Sequence, residues 1–301
     1  MLRHLLVLLV GAIALMAVVA WEHNSTAEAR ATALRGSLAK AATSVAAQAT
    51  ATSSRPRVFV GIKTAAGVGK YRKRRDVWRK SPCAKSYRDA GIDYKFIIGA
   101  PIDPGHDLTG HCQGCVDTIH ERAVEKALLQ EHDQFGDIYF IPIRDSYMNL
   151  PNKLLNIFQY GYSQVRAQYI GTHDDEYCLD PEVLMKALED HERANAGRPE
   201  RHELYAGDYF WKGDEYGSMK GPTGIVAPYF SGHSSIYSRG LLRNIVGPKT
   251  WAHSLLGGAY GSVADDCDVG KWIKWAQEKY GLRVDFKTIV HVLREAKELV
   301  S

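Results

Sequence analysis

Four short runs rich in β-branched and aromatic residues constrain this chain more than any other feature. They are RVFVGIK (57–63), DYKFIIGA (93–100), DIYFIPI (137–143) and AQYIGTH (167–173). Segments with helical periodicity separate them: IHERAVEKALLQEHDQF (119–135) lies before the third, and LPNKLLNIFQYGYSQV (150–165) before the fourth. PEVLMKALEDHERA (181–194) follows, with Pro181 at a good first-turn position. Apolar strands spaced by helices predict an α/β fold, a mostly parallel sheet with helices on both faces. In such sheets ligands bind beyond the carboxyl ends of the strands.

Three acids stand at one such end. GTHDDEY places Asp174, Asp175 and Glu176 directly after a run that should be a buried strand. A strand-to-helix turn with Asp180 capping the next helix explains Asp180, but not the triplet. Carboxylate oxygens suit hard divalent cations, which commonly use one or two carboxylates together with substrate phosphates. On an extended segment Asp174 and Glu176 point to one side, and Asp175 to the other. A second acidic group, Asp265, Asp266 and Asp268, precedes KWIKWAQEKYG. It is either a helix start, where acids complement the dipole, or the source of a general base facing the first group.

The amino-terminal end predicts targeting. Leu5 to Trp21 is a run of seventeen residues without formal charge, at the short limit of the ~17–25 needed to span a bilayer. Arg3 and Trp21 suit a signal anchor, whereas Val18-Val19-Ala20 would suit a cleaved signal peptide. Either delivers the remainder to the secretory lumen. Residues 22–55 are Ala/Ser/Thr-rich and read as a stem or linker, and 56–301 as the folded domain. The formal net charge of +4 is too mild for a nucleic-acid binder. The basic residues cluster in KYRKRRDVWRK (70–80), which by itself reads as a solvated face. His111-Cys112-Gln113-Gly114-Cys115 would be half a zinc site at most, and the five cysteines leave one outside any intrachain pairing.

Five blocks, in order, resemble glycosyltransferase family 31, the β-1,3-galactosyltransferase, N-acetylglucosaminyltransferase and fringe-like enzymes. RRDVWRKS (74–81) resembles the family's arginine segment after the first strand. FGDIYFIPIRDSYMNLPNKLL (135–155) resembles its Asp-Ser-Tyr-x-Asn-Leu-Thr stretch, the most diagnostic match. GTHDDEY resembles its acidic metal motif, APYFSGHSSIYS (227–238) its glycine-rich block, and ADDCDVG (264–270) its Glu-Asp-Val-x-x-Gly motif.

The resemblance implies a GT-A type nucleotide-sugar-binding fold. It also implies an inverting hexosyltransferase that moves galactose or N-acetylglucosamine from a UDP-sugar to a glycan acceptor in β-1,3 linkage. A divalent metal, Mn²⁺ or Mg²⁺, would be ligated by Asp174, Glu176 and His291. Asp174, Asp175, Arg74, Arg75, Arg79 and Lys153 would bind the donor, and Asp266 would be the base. The enzyme would be a single-pass type II protein of the Golgi membrane with a lumenal catalytic domain. Three residues depart from the family pattern, Glu176 for Asp, Thr172 for Lys and Ser235 for Tyr, and Glu176 and Ser235 leave a sugar-binding pseudoenzyme as the alternative. Cys178 and Cys267 lie just beyond the two acidic motifs and are expected near each other, bridged or not.

Overall fold

The structure is a computed structural model that describes residues 56–67, 69–100, 119–198, 200–212, 227–247 and 265–289. The expected anchor, the whole of the expected stem, Cys112, Cys115 and His291 lie outside the described residues. Among the described residues, no helix is long and apolar enough to cross a membrane.

In chain order the elements are β1 (Val58–Lys63), α1 (Lys70–Lys80), α2 (Pro82–Asp89), β2 (Asp93–Ala100), α3 (Ile119–Phe135) and β3 (Ile138–Arg144). Then come α4 (Leu150–Tyr160), which runs on into a π-helical turn at Gly161–Val165, β4 (Tyr169–Asp174) and α5 (Pro181–Asn195). The remainder comprises β5 (Glu203–Gly207), β6 (Phe210–Trp211), β7 (Tyr229–Phe230), β8 (Ser234–Ser238), α6 (Arg239–Val246), α7 (Asp265–Tyr280) and β9 (Val284–Thr288).

The main sheet has the order β3-β2-β1-β4-β8-β5-β9. Strands β3, β2, β1 and β4 are parallel, β8 runs antiparallel to both its neighbours, and β5 pairs parallel with β9. The α/β expectation therefore holds, with one reversed strand inserted beside β4.

Period-two alternation sorts the core into two layers. Val58, Val60 and Ile62 of β1 face one side, where they pack with Trp78, Tyr87, Phe96, Leu128, Leu184 and Leu188. Phe59 faces the other, with Leu154, Ile157, Phe158, Leu241 and Trp272. Helices thus cover both faces of β1, as its unbroken apolar sequence requires. Gly61 permits the closest approach: a Cβ there would lie 2.4 Å from a methyl carbon of Ile157.

The caps are written in the sequence. Asp180 accepts from the Glu182 and Val183 amides ahead of α5, and Ser81 accepts from the Ala84 amide ahead of α2. One pairing departs from expectation. Cys178 is bridged to Cys83, not to Cys267, which is a buried thiol outside any disulfide. Cys83 sits in α2 over the same sheet face as Cys178, so packing rather than proximity to the acidic motifs sets the partner.

Candidate active site at the carboxyl ends of β1 and β4

Lys63 closes β1 and Asp174 closes β4, and the parallel register sets them side by side. Lys63 Nζ lies 3.1 Å from Asp174 Oδ1 and donates to the Gly232 carbonyl at 2.9 Å. Beyond Asp174 the chain turns at once, the Tyr177 amide donating to the Asp174 carbonyl at 3.1 Å. The strand alternation therefore stops there, and the expected pairing of Asp174 with Glu176 is replaced. Arg74 of α1 instead joins Asp175 to Glu176, with its Nη1 3.2 Å from Asp175 Oδ1 and its Nη2 on Glu176 Oε1. The second Asp175 oxygen accepts from the Thr64 hydroxyl at 2.6 Å. Burial pushes the Asp175 carboxyl above its ordinary value, against the pull of Thr64 and Arg74.

All three acids line one cavity of about 340 Å³, together with Lys63, Thr64, Arg74, Asp145 and Lys153. Lys153 is buried, donates to the Thr64 carbonyl at 2.6 Å and pairs with Asp145. Asp145 in turn accepts from the Ala66 amide, so this pair anchors the loop leaving β1. Behind the cavity His173 is fully buried and stacks on Trp78. Burial lowers its pKa to about 4, while its hydrogen bond to the Asp174 carbonyl and the Lys63 charge act as smaller opposing and reinforcing influences. The imidazole is thus neutral, and Nδ1–H donates to the Asp174 carbonyl at 2.8 Å.

Of the three expected donor-binding arginines, only Arg74 reaches this cavity. Arg75 is fully buried; it grips Glu131 with two hydrogen bonds of 2.9 and 2.8 Å and donates to the carbonyls of Ala65 and Gly67. Arg79 forms a fork on Asp137, with both contacts at 2.8 Å, and also reaches Glu131 and Asp76. Arg75 therefore positions the loop after β1, and Arg79 holds α1 against α3 and the start of β3. Much of the run read as a solvated face is an interior ion-pair network.

The two acidic motifs meet through one residue. Asp266, in the first turn of α7, accepts from the Gly232 amide at 3.2 Å and from the Cys267 amide at 2.8 Å. Gly232 is the residue whose carbonyl Lys63 holds. Thr172 and Ser235, two of the departures from the family pattern, are buried within the sheet, and Ser235 shares a 2.6 Å hydrogen bond with Tyr237.

Sequence reasoning missed Lys63, Thr64, Asp145 and Gly232. Lys63 carried a signal, since a charge ending a buried run is as anomalous as the acids ending the next one. Among the described residues no three His, Cys, Asp or Glu side chains converge closely enough to hold an ion by themselves. Cation binding here would draw on one or two carboxylates completed by ligand oxygens.

Together these features define an α/β protein with a charged ligand cavity at the carboxyl ends of adjacent parallel strands. Residues 116–247 match the family described as galactosyltransferase. That segment resembles the galactosyltransferases of glycosyltransferase family 31, in keeping with the sequence blocks. It is 37% identical over 73 residues to UDP-GalNAc:beta-1,3-N-acetylgalactosaminyltransferase 2 of Xenopus tropicalis, covering 23% of this chain and 15% of that protein. With the Homo sapiens protein of the same name it is 30% identical over 84 residues, 28% of this chain and 17% of the other. The matched stretch thus spans less than a fifth of these relatives. Among solved structures, HddC from Yersinia pseudotuberculosis aligns with 80% of this chain and 95% of its own at 10% identity and a TM-score of 0.37.

Proposed function

We propose that this chain is a glycosyltransferase with a GT-A type fold that transfers a sugar from a UDP-linked donor to a glycan hydroxyl, with inversion and in β-1,3 linkage. The observation that carries the reading is the meeting of Lys63, Arg74, Asp174, Asp175 and Glu176 around one cavity, tied to Asp266 through Gly232. On this reading Asp266 is the candidate base and the cavity the candidate diphosphate seat, linked through Gly232.

The charge of the cavity supports a cation. Asp145, Asp174, Asp175 and Glu176 oppose Lys63, Arg74 and Lys153, so four carboxylates against three cations leave one formal negative charge. A diphosphate entering alone would meet net repulsion. Asp174 and Glu176 would each offer a hard carboxylate oxygen to Mn²⁺ or Mg²⁺, Glu176 in competition with Arg74, and His291 is the further ligand suggested by the family pattern. When bound, the cation would neutralise charge developing on the departing nucleotide. Arg74 would orient the phosphates with its planar fork, and Lys63 would fix the Gly232 loop. Asp266 would take the proton from the acceptor hydroxyl as that oxygen attacks the anomeric carbon, a single displacement that needs one base.

The named relatives act with N-acetylgalactosamine, so the donor panel extends beyond galactose and N-acetylglucosamine. Golgi residence as a type II membrane protein remains part of this reading, motivated by the run from Leu5 to Trp21. The test is incubation of the full chain in detergent with UDP-galactose, UDP-N-acetylglucosamine and UDP-N-acetylgalactosamine, Mn²⁺ and a panel of glycan acceptors. UDP release coupled to a new β-1,3 linkage is expected. UDP binding with no transfer to any acceptor would instead favour a pseudoenzyme.

A further inference from the structure

A second cavity, about 760 Å³ in volume, opens at the opposite end of the same sheet. It is bounded by the residues that precede β1, β4 and β5 and by those that follow β8. The six residues of β1 separate it from the acidic cavity, about 17 Å at the usual rise of a strand. Five arginines line it: Arg57, Arg166, Arg201, Arg239 and Arg243.

Their roles differ. Arg57 is already committed, 2.8 Å from a Glu192 oxygen and 3.7 Å from Glu189. Arg239 is fixed in place: its guanidinium donates to the Tyr162 carbonyl at 2.6 Å and lies 4.1 Å from the centre of the Tyr162 ring. Arg166, Arg201 and Arg243 form no ion pair among the described residues. The lining carboxylate, Glu203, accepts from the Ser238 hydroxyl at 2.5 Å. The cavity therefore carries a clear positive surplus, supplied wholly by arginine.

The backbone that presents Arg166 is unusual. Helix α4 widens into the π-helical turn Gly161–Val165, a rare geometry that is enriched at functional sites. Arg166 then adopts φ = +59°, and among the described residues every other positive φ belongs to glycine. An L side chain is disfavoured there, and glycine would cap the turn more easily. The chain keeps a long cationic side chain at a position whose backbone prefers none, and directs it to a cavity lined by other arginines.

We propose that this cavity is an anion site for a phosphate-bearing ligand, separate from the candidate active site. Planar guanidinium groups bind phosphate oxygens in pairs, which lysine does not, and an all-arginine lining matches that chemistry. The volume suits a phosphorylated small molecule or the headgroup of an anionic lipid. The two sources share the phosphate and differ in whether a bilayer presents it. The assignment does not depend on transfer activity.

The test uses the full chain and a readout that resolves the two cavities. Arginine-specific dicarbonyl labelling, followed by peptide mass spectrometry, is performed with inorganic pyrophosphate and without it. It is repeated in phosphatidylcholine vesicles with or without phosphatidylserine. Protection of Arg166 and Arg243 by pyrophosphate is expected, whatever happens at Arg74. Added protection in the phosphatidylserine vesicles assigns the site to a lipid headgroup, and its absence assigns it to a soluble phosphate. Arg166→Gly and Arg243→Ala should each weaken pyrophosphate binding at this pole about tenfold. Arg166→Gly should do so with an unchanged or higher Tm, since glycine accepts the backbone angle. Unprotected Arg166 and Arg243 under every condition, or undiminished binding in the two variants, would overturn the assignment.

Discussion

Lys63 and Asp266 hold Gly232 from opposite sides: Lys63 Nζ donates to its carbonyl at 2.9 Å, and the Asp266 carboxylate accepts from its amide at 3.2 Å. Lys63 also pairs with Asp174, so the end of β4 and the start of α7 are registered across one residue. The segment just before β8 is thus the bridge between the two acidic motifs.

This arrangement separates two roles of Asp266. In Asp266→Asn the amide oxygen still accepts from Gly232, so the loop and the cavity should persist while the base is lost. Transfer should fall by at least about 100-fold, the usual range for loss of a positioned base. UDP affinity, read by calorimetry, should change little. Retention of near wild-type turnover would remove Asp266 from the role of base.

Arg74 makes a different prediction. It holds Asp175 and Glu176 at once, so a cation using Glu176 competes with a guanidinium already on that oxygen. Arg74→Gln should tighten Mn²⁺ binding in the absence of nucleotide by about tenfold, on the scale of one charge-assisted contact. It should weaken UDP binding in the presence of Mn²⁺. Electron paramagnetic resonance of free Mn²⁺ measures the first effect, and a loss of Mn²⁺ affinity would contradict the competition.

Local rules carried the reading where chemistry follows sequence spacing. Asp180 was legible as a cap because the cap bond spans two or three residues, and the alternating runs became parallel strands because both faces of β1 needed cover. The acids at 174–176 were legible as an anomaly, but their partners were not. Arg74 reaches Asp175 across 101 residues of sequence, and the basic run at 70–80 gives no hint that Arg75 turns inward to Glu131 while Arg74 turns to the cavity. That division follows from the face of α1 set by Trp78 in the core. The reversed strand β8 was equally hidden, since SSIYS reads as a strand without indicating its direction. Cys83 was overlooked as a partner of Cys178 because their encounter depends on α2 crossing the sheet face.

The disulfide offers a simple check. Cys83 and Cys178 close a loop of 95 residues of sequence separation, and a native bridge of this kind contributes about 2–5 kcal/mol. Peptide mapping of unreduced protein should recover Cys83 linked to Cys178. Burial raises the Cys267 thiol to about 12, so Cys267 should resist alkylation until the protein unfolds. Cys83→Ser should lower Tm in oxidising buffer and leave no difference from wild type under full reduction. A Cys178–Cys267 peptide would contradict the arrangement.

Glu131 should make the fold acid-sensitive in a defined window. Arg75 meets it with a fork, Arg79 at 2.7 Å and Arg72 at 3.1 Å, all from one face of α1. Burial alone would raise its pKa from the ordinary 4.5, but hydrogen bonds and charge from Arg75, then Arg79, outweigh it and hold the carboxyl below that value. The unfolded chain therefore binds a proton more readily than the folded one. The stabilisation is fully present above about pH 4.5 and is lost as pH falls below it through the lowered folded pKa. Glu131→Gln should cost about 3–5 kcal/mol at pH 7, because Arg75 is left buried without its counter-charge. The variant should also show a shallower loss of stability below pH 4.5 than the wild type, as urea midpoints at several pH values would record. Adding Arg75→Met should recover much of the loss, since an apolar side chain of similar length removes the uncompensated charge. A Glu131→Gln protein as stable as wild type at pH 7 would place this ion pair outside the forces that hold α1 to α3.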